Sequence, residues 1–170
     1  MERLLWYGGN WHPSIEGETH TIINPANKEI LGKTHLAGPK DIEKAIDAAS
    51  EAFELWSRTN VKIREKILNT ASLLIENRLD EIAQILTEEQ GKPIPDSKKE
   101  ILFGAEVIRY YAEEAKRIQG SLRSSANQEI RNIVQYQPYG IAAAIVPWNY
   151  PVDLYCWKVG PALAAGCPMI

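Results

Sequence analysis

A chain of 170 residues with 45% hydrophobic content has enough apolar material for one ordinary globular domain, and globular is the class its composition sets. The formal net charge is -3, and the 19 Lys and Arg residues are dispersed rather than gathered in a stripe, which argues against a nucleic-acid partner. The few apolar residues at the N-terminus are interrupted by Gly8-Gly9-Asn10, so neither a signal peptide nor a membrane span is read there, and a cytoplasmic location without membrane contact is expected.

The first segment reads as hairpin material. Leu4 to Tyr7 and Asn10 to His12 flank a Gly8-Gly9 turn, and short strands follow at His20 to Ile23 and Glu29 to Thr34 around Asn24-Pro25. A helix is expected after Pro39-Lys40-Asp41, because Ile42, Ile46, Ala49, Phe53 and Trp56 recur at helical steps and make one apolar seam. A second begins near Asn60, with Ile63, Ile67, Ala71 and Leu74 inward. A third runs from about Asp80 to Gly91, and Pro93 prevents its continuation. The longest spans about Asp96 to Ile118, with Ile101, Ala105, Ile108, Tyr111 and Ala115 on its buried side and Gly120 closing it. Glu100, near its start, suits the positive end of the helix dipole. Ser121 to Gln128 reads as a polar linker rich in serine, and it precedes a strand in which Ile130, Val134 and Tyr136 alternate with Arg131, Ile133 and Gln135. His12, His20 and His35 show no metal-ligand spacing, and no metal is expected.

Ile141 to Val146 is a continuous apolar run between Gly140 and Pro147, which suits a central parallel strand covered on both faces. Pro151 suits the first turn of a following helix, with Asn149 or Tyr150 at its boundary. Asn149 then stands at a strand's carboxyl end beside a helix N-terminus. Open α/β sheets bind ligands at such places, because free backbone N–H groups and the helix dipole favour anionic groups. By residue type alone, an Asn before an aromatic-Pro pair is commonly a turn or cap residue that bonds its own backbone. Tyr150, Leu154 and Trp157 share one helical face, and such a stripe is ordinarily core. Lys158 is one of two charged residues between Asn149 and Ile170, the other being Asp153; its ammonium either snorkels to water or pairs with a carboxylate. Cys156 and Cys167 make neither a disulfide framework nor a zinc pattern and read as small core residues.

The run Pro147-Trp148-Asn149 at the end of an apolar strand, followed by Lys158 and then Pro161-Ala162-Leu163-Ala164-Ala165-Gly166, resembles the NAD(P)-dependent aldehyde dehydrogenase superfamily. Supporting matches stand in the same order upstream: Asn24-Pro25-Ala26, Ala52-Phe53 with Trp56, Glu89-Gln90-Gly91-Lys92-Pro93, and Tyr110-Tyr111-Ala112-Glu113. The resemblance covers essentially the whole chain and corresponds to the amino-terminal third of a family member. It implies an α/β fold: the start of a doubly wound dinucleotide-binding domain, an N-terminal helical segment, and β-strands of an oligomerisation arm. The expected organisation is residues 1–120 packing on the cofactor domain, 121–137 as the arm strand, and 138–170 as the first strand-helix unit of the NAD(P)-binding domain.

The same resemblance implies roles. Asn149 would be the oxyanion-stabilising asparagine, and Val146, Pro147, Trp148 and Asn149 would border an NAD or NADP cofactor. Tyr150, Leu154 and Trp157 would wall the substrate tunnel, and the resemblance also allows a structural monovalent-cation site at Glu100; by residue type, Lys158 is a candidate proton-handling or structural pair member. The substrate would be a small aldehyde, and the complete protein a homo-oligomer, dimer or tetramer. The nucleophilic Cys and general-base Glu of the family are expected outside these residues, so the isolated chain is expected to be inactive. A truncated, non-catalytic paralogue that binds intact subunits is the alternative, and a self-sufficient helical scaffold over residues 39–120 a third.

Overall fold

The computed structural model describes residues 2–170, so only the first residue of the expected 1–120 unit lies outside it. Gly8 and Gly9 both take positive φ, at 58° and 77°, as a two-residue hairpin turn requires. Strand β1 (Glu2–Arg3) leads into β2 (Leu5–Tyr7), which pairs antiparallel with β3 (Asn10–His12) across that turn. β4 (Thr19–Ile23) pairs antiparallel with β5 (Ile30–His35), and β1 adds to the far edge of β5 in parallel. Of the three histidines, His35 has a structural place: its Nδ1 accepts from the Ser14 amide at 3.1 Å, and its Nε2 lies 3.0 Å from Glu2.

Helix α1 (Pro39–Trp56) starts with Pro at N1, where no N–H is needed. Asp41, 1% exposed, accepts from the amides of Gly38 and Ile15 and from the Ser14 hydroxyl. Burial pushes its carboxyl up, but these bonds outweigh burial and leave its pKa lowered. α2 (Val61–Asn77) is capped by Asn60, whose side chain accepts from the Lys62 amide at 2.9 Å. α3 (Leu79–Gln90) ends at Gly91 in the left-handed region.

The central element is α4 (Ile94–Glu114), packed against α2, α3 and a later helix, α5 (Pro151–Ala165). Leu68, Val107, Ile108, Ala112, Cys156 and Ala164 form the heart of the core between them. Gly104 and Gly160 allow the close approach of α4 and α5, because a Cβ at Gly104 would meet the Cys156 sulfur at 3.0 Å and one at Gly160 the Tyr111 ring at 3.2 Å. Trp56 Nε1 and Arg64 Nε donate to the last-turn carbonyls of α5, Leu163 and Ala164, at 3.1 and 3.2 Å.

Several expectations need correction. In α2 the inward residues are Leu68 and Ser72, whereas Ile63, Ile67 and Leu74 are exposed. Leu68 packs with Ile108 and Ala112 of α4, and Ser72 donates to the Ala105 carbonyl at 2.8 Å. In α1, Ala49 is buried but Ile42 and Ile46 are exposed. α4 starts two residues earlier than Asp96 and tightens into a 3-10 turn at Ala115–Arg117, so Gly120 does not close it. The first four residues of the expected 121–128 linker form β6 (Ser121–Ser124), a hairpin partner of β7 (Arg131–Val134).

The run Ile141 to Val146 forms a single bridge at Ala142 rather than a regular strand, and it is not covered on both faces: Ala143 is exposed and Ile145 is 98% exposed. It crosses through α5 to pair in parallel with residues 168–170, by Ala142 with Met169, and the amide of Ala144 reaches the Ile170 carbonyl at 3.0 Å. Strand, crossover helix and parallel strand make the first unit of a doubly wound sheet.

Candidate active site

The carboxyl end of the Ile141–Val146 run, the N-terminus of α5 and the α3–α4 connection meet at an open cleft of about 680 Å³. Gln90, Lys92, Glu100, Phe103, Trp148, Asn149, Tyr150 and Asp153 are among its lining residues. Pro147, Trp148 and Asn149 are exposed, Trp148 at 83%, while Val146 is half-buried. Pro147, Trp148 and Asn149 thus offer an exposed apolar and amide rim.

Asn149 does not behave as a cap. The N-cap of α5 is Tyr150, without a side-chain hydrogen bond, and the Asn149 amide side chain bonds none of the described residues. Its backbone, by contrast, is tied: the Asn149 carbonyl accepts from Lys92 Nζ at 2.9 Å, and the Trp148 carbonyl accepts from Gln90 Nε2. A free amide on a held backbone is a donor ready for an outside acceptor.

The expected anion site at the N-terminus of α5 is already filled. Glu100 Oε1 accepts from the amides of Val152 and Asp153 at 2.9 and 3.4 Å, so the first N–H groups of α5 are not open to a cofactor diphosphate. Glu100 therefore serves α5 rather than the dipole of its own helix; its other oxygen pairs with Lys92. Asp153 stands beside Glu100 with Oδ1 buried and without a partner among the described residues. Burial first, then the Glu100 carboxylate, raises its pKa against a hydrogen bond from Trp157.

The face expected to wall a tunnel divides. Tyr150 lines the cleft, its ring centroid 4.2 Å from Lys92 Nζ, while Leu154 is half-buried in the helix and Trp157 packs edge-on against Tyr111, with centroids 6.0 Å apart. Lys158 is exposed and makes no ion pair among the described residues. Among the described residues no group of three His, Cys, Asp or Glu stands together as a metal site, and no helix is long and apolar enough to cross a membrane.

Gln90 and Lys92 carried no role in the sequence reading beyond their place in a motif. Gly91 and Pro93 around Lys92 signal a turn, but nothing local shows that this turn reaches Asn149, which lies 57 residues on.

Cys156 is buried beneath this region, in contact with Gly104 of α4. It is 2% exposed, and burial, with the carboxylates of Asp153 and Glu100, pushes its thiol up to about 12. The thiolate is the reactive form, so at pH 8 its population falls roughly a thousandfold below that of an ordinary cysteine. A thiol reagent applied to the native chain should leave Cys156 unmodified until denaturant is added. Rapid labelling in its absence would show that α4 and α5 separate readily.

The family model for the aldehyde dehydrogenase family matches residues 11–170. A succinate semialdehyde dehydrogenase of Acinetobacter baylyi is 43% identical over 95% of this chain and 34% of its own length. The succinate-semialdehyde dehydrogenase [NADP(+)] of Escherichia coli is 42% identical over 95% and 34%. Among solved structures, a succinate-semialdehyde dehydrogenase from Burkholderia pseudomallei superposes with a TM-score of 0.96 at 38% identity, over 99% of this chain and 35% of that one. The chain thus spans about a third of the length of the relatives it matches, and its α/β architecture is that of their amino-terminal portion. With the family model matching from residue 11 to the last residue, the chain belongs to the aldehyde dehydrogenase family.

Proposed function

We propose that this chain is the amino-terminal part of an NAD(P)-dependent dehydrogenase that oxidises a small aldehyde, and that Asn149 is its oxyanion donor. The observation that carries the reading is the Asn149 amide, without a partner among the described residues at an open cleft while the carbonyls on either side of its Cα are hydrogen-bonded. A cysteine thiolate from outside these residues adds to the aldehyde carbon, forming a carbon–sulfur bond as the carbonyl electron pair moves onto oxygen. The Asn149 N–H donates to that oxygen as its charge grows, without itself changing protonation. When bound, the nicotinamide accepts the hydride. Val146, Pro147 and Trp148 border it, Tyr150 stands at the substrate's approach, and Leu154 and Trp157 support that wall from α5.

Relatives named for succinate semialdehyde favour a small aliphatic aldehyde, and the NADP(+) in one of their names favours trying both nucleotides. The test is formation of reduced cofactor from succinate semialdehyde and NAD+ or NADP+, by the full-length protein carrying this segment and by the isolated chain. Activity in the first and none in the second is expected. Turnover by the isolated chain would refute the assignment of the nucleophile to residues outside it.

A second reading concerns the β6–β7 hairpin, on which Leu122 is 68% and Ile133 80% exposed. Such a ribbon suits association with another subunit, which serves the complete homo-oligomer and equally a non-catalytic chain that binds intact subunits. Co-migration of the isolated chain with full-length subunits distinguishes the latter.

A further inference from the structure

The first amides of α5 find no partner in their own cap, because Tyr150 supplies no side-chain acceptor. Glu100 reaches across from α4 to take that place. Its side chain has no solvent exposure, and Oε1 accepts from the Val152 amide at 2.9 Å. The remaining oxygen needs a cation, and Lys92 provides it with a side chain only 15% exposed. The same ammonium donates to the Asn149 carbonyl at 2.9 Å and lies 4.2 Å from the centre of the Tyr150 ring. One charge thus meets a carboxylate, a carbonyl and a ring face. Gln90 adds a bond to the Trp148 carbonyl.

The base of this arrangement is fixed by Gly91. Its φ is 73°, and a Cβ there would lie 2.9 Å from the Pro25 ring, so backbone and packing together set the direction in which Gln90 and Lys92 leave the chain. The result is a turn from Trp148 to Asp153 held by side chains from the α3–α4 connection and α4. Among the described residues the Asn149 carbonyl is held, while its side-chain amide bonds nothing.

Resting on the reading of Asn149 as oxyanion donor, we propose that Lys92 and Glu100 are positioning residues: the buried pair fixes the 148–153 backbone so that the Asn149 amide is already aimed before substrate arrives. A buried ion pair contributes little net stability, since desolvation offsets much of its attraction. What this pair supplies is a single path for the backbone that carries a catalytic donor, and small displacements of such a donor have large effects on rate.

The test uses the full-length protein carrying this segment. Lys92→Met, which keeps the apolar stem and removes the ammonium, should lower kcat by about 10- to 100-fold with little change in KM for the nucleotide. In an Asn149→Ala background the same substitution should cost nothing further, because its effect passes through Asn149. Hydrogen exchange should quicken at residues 148–153 and stay unchanged in α2 and α4. Glu100→Gln, which keeps an acceptor for the Val152 amide but weakens the hold on Lys92, should shift kcat and exchange in the same directions by less. Unchanged kcat and exchange in both variants overturns the proposal, as does a loss that recurs in full without Asn149. If Lys92→Met raises exchange throughout α2 and α4, Glu100→Gln decides the matter by the same criteria. Asn149→Ala without effect on kcat would instead sink the oxyanion reading, with exchange at 148–153 still reporting whether Lys92 holds the turn.

Discussion

Replacing Asn149 by Ala in the full-length protein should reduce kcat by roughly 10²- to 10³-fold, the loss found when one oxyanion donor is removed from a preorganised site. KM for the nucleotide and the thermal midpoint should hardly move. The reason is structural: the Asn149 side chain is exposed and bonds nothing in the described protein, so its loss leaves no buried group unpaired. Asn149→Asp is a sharper probe, since it keeps the shape and places a negative charge where the substrate oxygen becomes negative. It should be at least as inactive as the Ala variant. Steady-state kinetics beside a melting curve checks both, and undiminished turnover in either would return Asn149 to the role of a turn residue.

The largest effect on stability should come from Leu68→Ala. Leu68 is 2% exposed and belongs to the core shared by α2, α4 and α5, so truncation leaves a cavity and should cost about 2–5 kcal/mol. Its neighbour Ile67 is 46% exposed, and Ile67→Ala in the same chain should cost about 0.5 kcal/mol or less. Paired urea denaturations of the two variants read the difference directly. A larger loss at Ile67 than at Leu68 would mean that α2 is rotated, with the Ile63–Ile67–Leu74 stripe inward after all.

That pair of residues also marks where sequence reasoning stops. α2 carries two stripes at helical spacing, one through Ile63, Ile67 and Leu74 and one through Arg64, Leu68, Ser72 and Ile75. Hydrophobicity favours the first. The second is buried because Ser72 bonds the Ala105 carbonyl at 2.8 Å and Arg64 reaches the end of α5, contacts that depend on which helices lie alongside. Periodicity shows that a helix has faces, but the partner chooses among them.

Several element boundaries are open to reading because their causes are local, although the ends of α4 and the strand β6 are not. Gly8-Gly9, Pro39, Asn60, Gly91 and Pro151 each act on their own backbone or on amides within a few residues. The family, too, was legible in short runs such as Pro147-Trp148-Asn149 and Glu89-Gln90-Gly91-Lys92-Pro93. The sequence by itself therefore determined the order of the helices, the glycine and proline punctuation, and the family. Tertiary structure alone decided that Glu100 caps α5 from another helix, that Lys92 holds the Asn149 carbonyl, and that the α5 N-terminus is closed to anions. Those contacts join residues 52 and 57 positions apart, and a side chain's reach across such a separation is set by how α4 and α5 pack, which no local spacing encodes.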